Sequence, residues 1–190
     1  MRRAILFLMT FPRLFDFPSS RRYSKEMQDE LFMEMCLNEA ARAFEEEEVP
    51  VGALIIAKDQ MVIARAHNLT IRRRSPLAHA ELLAIAQAAE VLGNYRLTGC
   101  SLFVSKEPCL MCAGAIQEAR IKRVVFGCFD TKRGAFGSGA DVNTLPSNHK
   151  VEVRGGILRE KSESLLKKFF QLRRDTEVVV TGPTRNRLFA

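Results

Sequence analysis

The chain has 190 residues, 47% of them hydrophobic and 27% charged, which suits one domain with a substantial core and extra residues at both ends. Its five cysteines are an odd number, and only Cys109 and Cys112 form a motif, which argues against a secreted disulfide framework and for a reducing, cytoplasmic setting. The net charge of +7 is uneven: residues 1–25 carry +5, residues 26–48 carry −8 and residues 49–190 carry +10. A basic body behind an acidic first helix suits a polyanionic substrate, although mild basicity also serves solubility alone.

Residues 1–24 read as a basic extension. Met1-Arg2-Arg3 before Ala4 to Met9 resembles the start of a secretory signal, but Pro12, Arg13 and Asp16 interrupt it. The apolar stretch is too short to span a bilayer. Three readings stay open: an upstream start that is not the true one, a disordered basic arm, or an organelle-targeting peptide. The composition favours the first two.

The domain is expected over residues 25–174. From Ser24 a helix is expected through Phe44, with Met27, Leu31, Met35 or Leu37, Ala40, Ala41 and Phe44 inward, the acids outward, and Glu45 to Glu48 as a solvated end before Pro50. Val51 to Ala57 and Met61 to Ala66 read as a hairpin of buried strands, and Gly52 within the first signals a close backbone approach to a ligand or a helix. A polar loop follows from His67 through Arg72-Arg73-Arg74 to Pro76. Ala78 to Leu92 is a helix stopped by Gly93, Ser101 to Ser105 a strand, Cys109 to Arg120 a helix, and Arg123 to Gly127 a strand. After a loop over residues 131–150, Val151 to Arg154 is a short strand and Ile157 to Arg174 a last helix. Residues 175–190 read as a frayed tail. The order gives an α/β fold in three layers, α/β/α, around a mixed five-stranded sheet.

Two short stretches carry chemistry, Leu77-Ala78-His79-Ala80-Glu81 and Glu107-Pro108-Cys109-Leu110-Met111-Cys112. His79, Cys109 and Cys112 are three ligands for Zn2+, leaving the fourth tetrahedral position for water, whereas a structural site normally closes it. Cys109 and Cys112 lie one turn apart at a helix start, where free amide donors favour thiolates. Glu81, two residues past the histidine, is placed to take a proton from water and deliver it to a ring nitrogen and a departing amine. A lone Cys-x-x-Cys also fits a redox pair or half a zinc knuckle, and a lone His-x-Glu arises by chance. Together they match the signature of zinc deaminases acting on bases.

With Glu48-Val49-Pro50-Val51-Gly52-Ala53, His67-Asn68, Asn94-Tyr95-Arg96-Leu97, Arg123 to Gly127 and Phe169 to Arg174, these stretches resemble the cytidine-deaminase-like superfamily, and within it the bacterial tRNA-specific adenosine deaminases. The resemblance covers about Glu26 to Arg174. It implies zinc on His79, Cys109 and Cys112, Glu81 as catalytic proton shuttle, Asn68 as a partner of a flipped-out adenosine, and Val51 and Ala80 lining the base pocket. It further implies Asp130 near the target nucleotide's backbone or ribose, Phe170, Arg173 and Arg174 on a helix touching tRNA, and a homodimer completing the tRNA surface. Phe44, Phe129 and the loop Thr70 to Arg74 depart from the family pattern. The implied activity is deamination of the wobble adenosine of a tRNA anticodon to inosine. Two rivals remain: a deaminase of a free base or nucleoside, and a non-catalytic RNA-binding subunit.

Overall fold

A computed structural model describes residues 24–180, with side chains through residue 175, so the expectations for residues 1–23 and 181–190 lie outside the described residues. The chain runs α1 (Lys25–Glu45), β1 (Gly52–Ile56), β2 (Val62–His67), α2 (Ala80–Leu92), β3 (Ser101–Lys106), α3 (Leu110–Glu118), β4 (Arg123–Cys128), a 3-10 turn (Val142–Thr144), β5 (Glu152–Arg154) and α4 (Arg159–Val180). The strands form one sheet in the order β2-β1-β3-β4-β5. The β1–β2 and β1–β3 pairs are antiparallel, and β3–β4 and β4–β5 are parallel. This is the mixed five-stranded sheet that the element order implies.

Alternation along the strands builds two cores. Ala53 and Ile55 of β1, Leu102 and Val104 of β3 and Val124 and Phe126 of β4 pack with Ala80, Ala84 and Ala88 of α2 and Ala113 and Ile116 of α3. Leu54, Ile56, Phe103 and Val125 point the other way, onto Phe32, Met33 and Cys36 of α1. Because successive side chains on a strand face opposite ways, an apolar run such as β1 buries both faces, and helices must cover each. Gly52 lets β1 approach α1: a Cβ there would lie 2.2 Å from the Cys36 carbonyl oxygen and 2.5 Å from the Ala40 nitrogen. The close approach read at Gly52 is therefore to a helix.

The inward face of α1 is only partly the one expected, which Leu37 and Ala40 match. Phe32, Met33, Cys36, Leu37, Ala40 and Ala43 are buried, while Met27 and Leu31 are 48% and 37% exposed. Nor do all the acids face outward. Asp29 is 2% exposed; it accepts from both Nη atoms of Arg123 at 2.7 and 2.6 Å and from Arg154 Nη1 at 2.5 Å. That pairing turns Asp29 towards the sheet and rotates Met27 and Leu31 away from it. Removing one partner of a buried pair strands the other's charge, at a cost of about 3 to 5 kcal/mol. Asp29→Ala should therefore lower the unfolding free energy read from urea titration by that amount, and an unchanged midpoint would refute the assignment.

Several helix boundaries also differ, two of them for visible reasons. α2 starts at Ala80, because the Leu69 amide donates to the Ala78 carbonyl at 3.0 Å and keeps Ala78 in the preceding loop. α4 continues through Val180 rather than ending at Arg174, as Asp175 to Val180 holds no glycine or proline to stop it.

Candidate active site

The carboxyl ends of β2, β3 and β4 and the amino end of β1 lie at one edge of the sheet, the usual place for ligands in α/β folds. A cavity of about 180 Å³ opens there, lined by residues from each adjoining loop, among them Val51, Asn68, His79, Glu81, Cys109 and Asp130. At its floor two helices begin. His79 is the N-cap of α2 and Cys109 the N-cap of α3, and neither side chain caps its own helix. Both turn instead towards Cys112, one turn into α3.

His79 Nδ1 lies 3.4 Å from Cys112 Sγ and 3.8 Å from Cys109 Sγ, and the sulfurs are 3.7 Å apart. Tetrahedral zinc, with Zn–S about 2.3 Å and Zn–N about 2.0 Å, would set these separations at about 3.5 Å for sulfur to nitrogen and about 3.8 Å for sulfur to sulfur. The three atoms thus already have the spacing of a zinc ligand set, the one cluster of this kind among the described residues. The hydrogen bond shared with Cys112, helped by His79, lowers the Cys109 pKa to about 3. The same bond, with burial, drives Cys112 up. The bond to Cys109 likewise raises His79.

Glu81 is 4% exposed, and burial raises its pKa. A carboxyl held closer to neutral beside a metal set is suited to giving and taking protons. Asp130 is the opposite case. Burial works to raise its pKa, but Lys106 and the two turn amides outweigh it and lower it. Its Oδ2 lies 2.6 Å from Lys106 Nζ, and Oδ1 accepts from the amides of Lys132 and Arg133.

The other expected site residues lie outside the cavity. Ala80 is fully buried in the core beneath it, because the first residue of α2 turns towards the sheet. Phe170 is exposed on α4 and packs edge-on against Phe169, which itself packs on Phe44. Arg173 Nη2 donates to the Glu47 carbonyl at 2.7 Å, and Arg174 is exposed.

Two carboxylates that the sequence does not single out shape the walls. Glu107 accepts from the amides of Asp130, Phe136 and Ser138 at 3.0 to 3.2 Å and folds the loop after β4. Glu48, expected in solvent, is fully buried and accepts from the loop after β2. Proximity to Pro50 is all that sets it apart from Glu45, Glu46 and Glu47 in the sequence. Lys106 and Arg133 bring positive charge to the rim.

A His/Cys/Cys set that leaves one coordination position open, with a buried non-ligating glutamate beside it, defines a zinc-dependent deaminase of bases. The chain belongs to the cytidine and deoxycytidylate deaminase zinc-binding family, whose model matches residues 26–128. It is similar to the tRNA-specific adenosine deaminase of Bacillus subtilis (strain 168), 45% identical over 147 residues, or 76% of this chain and 89% of that protein. The enzyme of the same name from Aquifex aeolicus (strain VF5) is 43% identical over 146 residues, covering 76% and 95%. The solved structure of a tRNA:A34 deaminase, which edits A to I at the wobble position of transfer RNA, matches with a TM-score of 0.69 at 43% identity, covering 72% of this chain and 99% of that one.

Proposed function

We propose that this protein hydrolyses adenosine to inosine at the wobble position of a tRNA anticodon, releasing ammonia. The observation that carries the reading is the buried Glu81 beside three convergent zinc ligands, in a chain 43 to 45% identical to tRNA adenosine deaminases. His79 through Nδ1, and Cys109 and Cys112 as thiolates, hold the ion. Zinc so held supplies the Lewis acidity that activates water for attack at C6 of adenine. Glu81 accepts the first water proton and passes it to a ring nitrogen, then takes the second from the hydroxyl added at C6 and delivers it to the leaving amine. Val51 and Asn68 wall the base, and Asp130 fixes the turn that presents Arg133. The deaminase domain in this reading is residues 25–174, with the last turns of α4 beyond it.

Exposed Arg73 and Arg74, on the loop whose Thr70 lines the cavity, Arg133 in the cavity lining with exposed Lys132 preceding it, and Arg174 on α4 suit an RNA backbone, with Phe170 and Arg173 on the same helix. Exposed Ile71, Leu77, Leu110 and Met111 give a second copy an apolar surface to cover, so we take the protein to be a homodimer. Five free cysteines fit a cytoplasmic setting. None of the helices among the described residues is long and apolar enough to cross a membrane.

The test is incubation of the zinc-loaded protein with an adenosine-containing anticodon stem-loop, with free adenosine, guanine and cytidine in parallel. Inosine in the stem-loop is expected, with binding that weakens steeply as salt rises, because each phosphate contact to a single strand adds about 0.7 to the slope of log K against log salt. Turnover confined to a free base, with no salt dependence, would overturn the reading.

A further inference from the structure

The loop after β2 is folded on one carboxylate. Glu48 Oε2 accepts from Asn68 Nδ2 at 3.3 Å, from the Thr70 hydroxyl at 3.3 Å and from the Ile71 amide at 3.1 Å, and Oε1 accepts from the Arg72 amide at 2.7 Å. Asn68 Nδ2 gives its other proton to Thr70 Oγ1 at 3.0 Å, which closes a ring of three side chains. The Asn68 amide nitrogen also donates to the Val51 carbonyl at 2.9 Å and fixes the backbone beneath.

A carboxylate accepts and never donates, so Glu48 dictates which end of the Asn68 amide faces it. Turning that amide over would set Oδ1 against the carboxylate and lose both bonds that Nδ2 makes. Both Nδ2 protons are committed, which leaves Oδ1 as the free end of a side chain that lines the cavity with His79 and Glu81. Oδ1 has no partner among the described residues. It is not closed off either, since among the described residues His67 Nε2 is the one buried side-chain nitrogen or oxygen without a hydrogen bond. The cavity therefore meets an acceptor at this point.

We propose that Glu48 is a positioning residue for substrate: through Thr70 it holds Asn68 with Oδ1 towards the cavity, where it accepts from an N–H or O–H group of the entering nucleoside. This rests on the deaminase reading above. The class of ligand group is a donor, such as a ribose hydroxyl or an exocyclic amine, and a carbonyl at that point is disfavoured.

The test is a double-mutant cycle on the zinc-loaded full chain, with zinc content and melting temperature read in parallel. Glu48→Gln is expected to keep one zinc per chain and lose about tenfold or more in kcat/KM. Asn68→Ala should lose at least as much, and adding Glu48→Gln to it should cost less than about twofold further, because the residue through which Glu48 acts is gone. Equal losses in the two backgrounds, or no loss from Glu48→Gln in the native background, would overturn the proposal. Should Glu48→Gln not fold, Thr70→Val opens the same ring without touching the loop amides. It is expected to lower kcat/KM in the native background and not beside Asn68→Ala, and losses that add would again overturn the proposal. The cycle runs on whichever base the native protein deaminates, so absence of inosine counts against the substrate reading, and additivity against Glu48.

Discussion

Glu81→Ala keeps one zinc per chain and slows inosine formation by about 10³ to 10⁴-fold. One proton-transfer group typically contributes about 10² to 10⁴ in rate, and the upper end applies because Glu81 serves both the attack and the departure of ammonia. Its carboxyl is buried beside the metal set, so solvent cannot take its place readily, and Asp130 is committed to Lys106 and the turn amides. Glu81→Gln, which keeps the shape and loses the titratable proton, should fall nearly as far. Single-turnover rates on a stem-loop, paired with zinc analysis, decide it: a variant within tenfold of the native rate would remove Glu81 from the chemistry.

Cys112→Ala acts one step earlier, on the metal itself. Three ligands are the minimum for a catalytic zinc, and the two that remain, His79 and Cys109, lie on different helices. Bound zinc should fall from one per chain to below about a tenth, and deamination below detection, because a thiolate bond is lost and nothing nearby replaces it. Cys100, buried in the core and remote from the set, makes the control: Cys100→Ala should keep its zinc. Full zinc occupancy in Cys112→Ala would mean that the ion is held elsewhere.

Much of this is legible in the sequence because it depends on local pattern. The strands show as apolar runs of β-branched residues, and the ligands as two short motifs. Burial of α1 is less legible: several helical stripes fit its scattered apolar residues, and the choice among them was made by Asp29 meeting Arg123 and Arg154, partners far along the chain. Glu48 is hidden for the same reason. Four consecutive glutamates look alike until the loop at residues 68–72 turns two backbone amides onto one of them. The end of α4 is not legible, because few core-forming residues follow Arg174 and nothing from Asp175 to Val180 breaks the helix.

The Asp29 pairing also bears on the order in which the protein can mature on the ribosome. Its two partners lie 94 and 125 residues further along the sequence. The first helix therefore emerges carrying an acid whose partners do not yet exist, and it cannot seat fully until β4 and then β5 have been made. Nascent chains stopped before Arg154 would hold Asp29 by Arg123 alone and would be more easily cut by protease than chains only a few residues longer, so the domain's resistance to cleavage would rise late and abruptly during synthesis.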